Sequence, residues 1–119
     1  HVDVEDKAIL GGLSGVHQEC RVGTLAFVGG LSRVAKDVPP YMIVDGNPAK
    51  CCGPNTVGLK RNGFDTALRA DIRQMHKVMQ RTDLNTTQAL HEIERTVGPG
   101  PIRAHFTEFV QKSTRGIIK

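Results

Sequence analysis

Aromatic side chains are nearly missing from this sequence: no Trp, one Tyr and four Phe in 119 residues. A surface that stacks nucleobases needs such rings in series, and no block of like charges stands in for them. Nucleic acid is therefore not the expected partner, although the net charge of +4 and a pI near 9.2 favour anionic partners in general. Cysteine is also scarce. Cys20, Cys51 and Cys52 form an odd set with no framework spacing. The adjacent pair lacks the C-x-x-C spacing of a metal site. A reducing, cytoplasmic compartment is the expectation. No apolar run approaches membrane-spanning length, and the first residues carry no signal-peptide pattern.

What is present is a repeat. Val4, Leu10, Val16, Val22, Val28 and Val34 recur at every sixth place, each preceded at two residues by Val2, Ala8, Ser14, Cys20, Ala26 or Ser32. Neither the helical period of 3.6 nor the strand period of 2 makes this pattern. A coil with three flat sides does. Each side is a short strand with its aliphatic inward, followed by a corner where small residues and glycines fit. Residues 1–36 thus read as two coils of a parallel β-helix, with Cys20 as a buried thiol. The chain opens at His1 already inside the repeat. Two coils do not bury their own ends, so the expectation is the C-terminal piece of a longer chain.

The repeat stops at Asp37-Val38-Pro39-Pro40-Tyr41, an extended exit. Met42–Val44 offers one last strand, Asp45–Pro48 a turn, and the stretch to Pro54 a connector. The expected division is 1–53 for coils and connector and 54–119 for a helical domain. Pro54 is the expected first residue of a short helix closed by Gly63. Asp65 caps a second helix with the stripe Leu68, Ile72, Met75 and Met79. Asn85 and Gln88 form a capping box for a third, with Leu90, Ile93 and Val97 inward. Pro99 and Pro101 introduce a fourth carrying Ile102, Phe106, Phe109 and Val110. The helices should pack on the last coil.

Five histidines are the candidates for chemistry. His76, His91 and His105 lie off the inward stripes and read as solvated surface. His17 occupies a place where the repeat asks for a small residue, and His1 also faces outward. Their spacing puts them on nearby faces of adjacent coils, with surface histidines as the competing reading. Lys60-Arg61 ends the first helix, where cations suit free carbonyls or clamp a phosphate; spacing leaves both open. No Ser-His-Asp order, phosphate loop or zinc spacing is present.

The runs HVDVEDKAILGGLSGVHQECRVG, KDVPPYMIVDGNPA, GLKRNGF and STRGIIK resemble the C-terminal part of the UDP-N-acetylglucosamine O-acyltransferases that start lipid A synthesis. The resemblance covers the whole chain. It implies a left-handed parallel β-helix followed by a small helical domain, a homotrimer with sites between subunits, and no metal or prosthetic group. It implies transfer of a 3-hydroxyacyl chain from acyl carrier protein to the 3-hydroxyl of UDP-N-acetylglucosamine, with a histidine base and a backbone N–H for the oxyanion. By the same resemblance His1 lies beside the reaction centre, and His17 and Gln18 lie near the sugar nucleotide. Asn55 and Arg61 hold the UDP portion, and Gly30 sets acyl length. The base and the oxyanion glycine precede His1. Asn62, Val57 and Pro48 depart from the arginine, glutamate and histidine found there in other members. Two other readings stay open: an inactive trimerisation or nucleotide-binding module, and a related hexapeptide acyltransferase with another acceptor.

Overall fold

The structure is a computed structural model describing residues 1–119. Two-residue strands recur in phase with the repeat: β1 (Asp3–Val4), β2 (Ile9–Leu10), β3 (Gly15–Val16), β4 (Arg21–Val22), β5 (Phe27–Val28) and β6 (Arg33–Val34). They pair in parallel as β1–β4, β2–β5 and β3–β6. Asp3 faces Arg21, Ile9 faces Phe27 and Gly15 faces Arg33, so one coil is eighteen residues. The winding is left-handed. This opposes the usual crossover preference, and the corners show how it is accommodated. Lys7, Leu13, Glu19, Leu25 and Leu31 all have φ between 57° and 69°. The left-handed conformation costs a non-glycine residue about 1–2 kcal/mol, offset here by the ladders on either side.

The corners therefore do not belong to the glycines, contrary to the sequence expectation. The glycines permit close stacking instead. A Cβ on Gly11 would stand 2.5 Å from Gly30 N and 2.8 Å from Val28 O in the coil below. Both obstacles are backbone, so Gly11→Ala should lower stability by about 1–3 kcal/mol through overpacking. Gly12→Ala, with nothing within 4 Å, should be tolerated. Comparing the two melting temperatures checks this.

A partial third coil follows. Val38 bridges to Val22, and β7 (Met42–Gly46) lies parallel to β5, Phe27 facing Ile43. This step is sixteen residues, two short of a full coil. The chain then reverses into β8 (Ala49–Pro54), antiparallel to β7. The expected connector is thus a paired strand, and Pro54 ends it rather than opening a helix. Four helices complete the chain: α1 (Thr56–Arg61), α2 (Thr66–Met79), α3 (Thr86–Thr96) and α4 (Pro101–Gln111). Asn55 and Asp65 cap α1 and α2, and Asn85 with Gln88 forms the full capping box on α3.

Two apolar clusters result. Val22, Ala26, Val28, Val34, Val38 and Val44 fill the coil, together with Ile118 from the far C-terminus. Ile72, Met75, Ile93 and Phe106 fill the helical part, joined by Leu25, Tyr41 and Met42 from the coil side. The helices do pack on the last coil. The opposite end is open: Val4, Ile9 and Leu10 are 47%, 53% and 42% exposed, while Val22 and Val28 below them are fully buried.

Candidate functional site

Coil geometry gives the molecule three long edges. Lys7 and Leu25 mark the first, Leu13 and Leu31 the second, and Glu19 the third. His17 and Gln18 are exposed just before Glu19, and His1 accepts the Glu19 amide through its carbonyl at 2.6 Å. All three therefore sit at the third edge. Gly30 is exposed at the second edge, stacked on Gly12, whose carbonyl would be 3.2 Å from an added Cβ. One flat side, made by β3 and β6, joins these two edges. It bears a shallow groove of about 440 Å³ lined by Leu13, Leu31, Arg33 and His17. Leu13 and Leu31 are 88% and 70% exposed, giving the groove an apolar border opposite its imidazole.

Asn55 and Arg61 lie elsewhere. Asn55 Nδ2 donates to Leu25 O at 2.9 Å, and Oδ1 accepts the Gly58 amide at 3.2 Å. Its side chain is buried and fixes α1 to the first edge. Only its second amide hydrogen and a lone pair remain for a ligand. Arg61 ends α1, is exposed, and has no partner in the chain. Nearby, Asn62 Nδ2 donates to Gly58 O at 2.7 Å, and Val57 is 61% exposed. Within the chain the candidate residues thus stand apart and do not converge.

Of the remaining three histidines, two are less exposed than their helical phase implies. His91 is exposed as expected. His105 is half-buried between α4 and the coil, its Nε2 2.9 Å from Glu5 Oε1 and 3.2 Å from Thr24 Oγ1. Glu5 Oε1 also accepts the Thr24 amide, so this cluster ties coil to helices. Tyr41 lies beside it, its hydroxyl pKa pushed up to about 12 by burial and secondarily by Glu5. His76 is half-buried, with Nδ1 3.7 Å from Cys51 Sγ. This is a thiol–imidazole pair, but burial raises the Cys51 pKa and lowers that of His76. Both shifts favour the neutral pair over an activated thiolate. Burial likewise holds the enclosed Cys20 thiol up.

A second cavity, about 580 Å³, opens below β6, where a third-coil strand of that sheet would lie. Arg33, Lys36, Lys50 and Lys119 line it, and no acidic side chain does. The sequence reading missed this cavity because its four cations come from the coil, the hairpin and the C-terminal tail. No group of three or more His, Cys, Asp or Glu side chains is arranged to hold a metal. No helix is long and apolar enough to cross a membrane.

A left-handed parallel β-helix of six-residue sides, closed by four helices, defines the hexapeptide-repeat class of proteins. A sequence profile described as UDP-N-acetylglucosamine O-acyltransferase, domain 2, matches residues 37–118. The acyl-[acyl-carrier-protein]–UDP-N-acetylglucosamine O-acyltransferase of Aliivibrio fischeri is 44% identical over 119 residues, all of this chain and 45% of that protein. That of Anaeromyxobacter dehalogenans is 40% identical, with 46% of its length covered. Among solved structures, the UDP-N-acetylglucosamine acyltransferase of Bacteroides fragilis superimposes with a TM-score of 0.95 at 34% identity, over 99% of this chain and 46% of that one. The Arabidopsis enzyme does so with a TM-score of 0.85 at 37% identity, over 100% and 45%. The chain belongs to the UDP-N-acetylglucosamine O-acyltransferase family. It spans about half the length of the relatives it matches.

Proposed function

We propose that this chain is the C-terminal half of an enzyme that transfers a 3-hydroxyacyl chain from acyl carrier protein to the 3-hydroxyl of UDP-N-acetylglucosamine, in the cytoplasm, as the first step of lipid A synthesis. The observation that carries the reading is family membership along the whole chain, in a fold that keeps His1, His17, Gln18, Gly30 and Arg61 exposed. The open end at Val4, Ile9 and Leu10 is where further coils bearing the base and the oxyanion N–H would stack.

The active molecule in this reading is a homotrimer. Its support is the separation of the candidate residues: His1, His17 and Gln18 at the third edge, with Asn55 and Arg61 at the first. A neighbour's α1 laid against the β3–β6 side brings the two groups together across an interface. His17 and Gln18 then contact the sugar nucleotide, Arg61 makes a charge-assisted bond to its diphosphate, and Asn55, at the opposite end of α1, offers its second amide hydrogen to the UDP portion. The apolar groove beside Leu13 and Leu31 receives the acyl chain. The cationic cavity below β6 suits an anionic carrier protein.

Acyl transfer measured on the full-length protein, with UDP-N-acetylglucosamine against other sugar nucleotides as acceptor, tests the assignment. Preference for another acceptor would replace it with the related-enzyme reading. Gly30 carries a sharper expectation. It precedes Leu31, which lines the groove, and a side chain there must pass Gly12 O with a shift of a few tenths of an ångström. Gly30→Met should then shift preference to shorter acyl chains, each excluded methylene removing about 0.8 kcal/mol of burial. An unchanged chain-length profile would remove Gly30 from the acyl site.

A further inference from the structure

We infer that Arg115 is a positioning residue for the sugar-nucleotide site, holding His17 in a single tautomer; the inference rests on the role proposed for His17. Arg115 Nη2 lies 2.8 Å from His17 Nδ1. A guanidinium only donates, so Nδ1 must present its lone pair, and the neutral ring carries its proton on Nε2. The carbonyl of Gln18 is 3.0 Å from the same Nδ1 and is the acceptor that an Nδ1–H would take if Arg115 were absent. Arg115 thus decides between two tautomers. Nε2 has no partner in the chain, and the ring is exposed. Nε2–H is then the donor offered outward to an oxygen of the sugar nucleotide.

Arg115 is held from both sides. Ser113 Oγ donates to Asp37 Oδ2 at 2.6 Å. The Asp37 amide donates to Gly116 O, and the Ile118 amide donates to Asp37 O, both at 2.9 Å. Gly116, at φ +86°, makes the turn that a side chain would strain. Ile118 is buried in the coil. A tail remote from His17 in sequence is therefore pinned so that one guanidinium meets one ring nitrogen.

The test uses full-length protein with ¹⁵N-labelled histidine, above the pH range of histidine titration, together with steady-state kinetics. The wild type should show His17 protonated at Nε2. Arg115→Ala should populate the Nδ1–H form and raise KM for UDP-N-acetylglucosamine about three- to tenfold, the scale of one hydrogen bond, with kcat within about twofold. Arg115→Lys, which keeps a donor-only cation, should recover part of both effects, and it carries the test if the alanine variant fails to fold. An unchanged tautomer in Arg115→Ala overturns the inference. So does a changed tautomer with unchanged KM. His17→Ala separates the two levels. If it leaves KM unaltered, the role proposed for His17 has failed. If it raises KM while Arg115→Ala does not, only the positioning role has failed.

Discussion

The 119-residue chain, purified alone, is expected to show no measurable acyl transfer. In the proposed mechanism the base and the oxyanion N–H lie on coils that precede His1. Loss of an acid–base group costs about 10² to 10⁴ in rate, and loss of an oxyanion donor about 10² to 10³ more. The structure adds a second reason. Val4, Ile9 and Leu10 present their aliphatic faces to solvent at 42–53% exposure, so the first coil lacks the partner that buries the second. The isolated chain should therefore also be marginally stable, and should bind the sugar nucleotide weakly through Arg61. Restoring the upstream coils should restore turnover, and alanine at the upstream histidine should remove it again. Turnover by the 119-residue chain, free of full-length contaminant, would place the base on His1 or His17 instead.

The second large effect is expected at Asp37, which is 1% exposed. Its Oδ1 accepts the Arg21 amide at 2.8 Å and Oδ2 accepts Ser113 Oγ at 2.6 Å, while Arg21 Nη1 stands 3.9 Å away. Its backbone pairs with the C-terminal tail. Alanine there strands two donors at the junction of coil, tail and α4, where Arg21 also lies over the Phe109 ring at 4.0 Å. At about 1–3 kcal/mol per unsatisfied buried group, with Ser113 only partly buried and so costing least, Asp37→Ala should cost about 2–4 kcal/mol and release the tail. Asp37→Asn, whose amide oxygen still accepts, should cost less. Melting temperatures at fixed protein concentration report both, and a value for Asp37→Ala equal to wild type would refute the role.

Much of this architecture is legible in the sequence, and the parts that are not have definite physical causes. The coil is legible because each inward aliphatic falls at a fixed place in a six-residue side, a signal no helix or plain strand imitates. The cap on α3 is legible because Asn85 and Gln88 act within one turn. The corners mislead because Lys7, Leu13 and Glu19 adopt left-handed angles that their side chains do not favour; the ladders impose that conformation from outside. β8 is missed because AKCCGP shows no alternation and is held by β7 alone. His105 and His76 look exposed by helical phase, and only the docking of α4 on the coil and of β8 on α2 half-buries them. The site is the least legible part. Resemblance supplies His17, Gly30 and Arg61, but nothing local shows that they stand on different edges, or that Arg115 reaches His17.

Subunit complementation reads out that separation of edges. His17→Ala and Arg61→Ala each impair a different edge. If the site lies within one protomer, mixing the two variants yields no wild-type sites. If it is shared between neighbours in a closed trimer, random mixing makes about a quarter of the interfaces wild type on both sides. We predict that co-expressed mixed trimers regain activity approaching about a quarter of wild type at low sugar-nucleotide concentration, well above either variant alone. Mixed trimers, verified by differential tagging, with no more activity than the separate variants would contradict a site built between protomers.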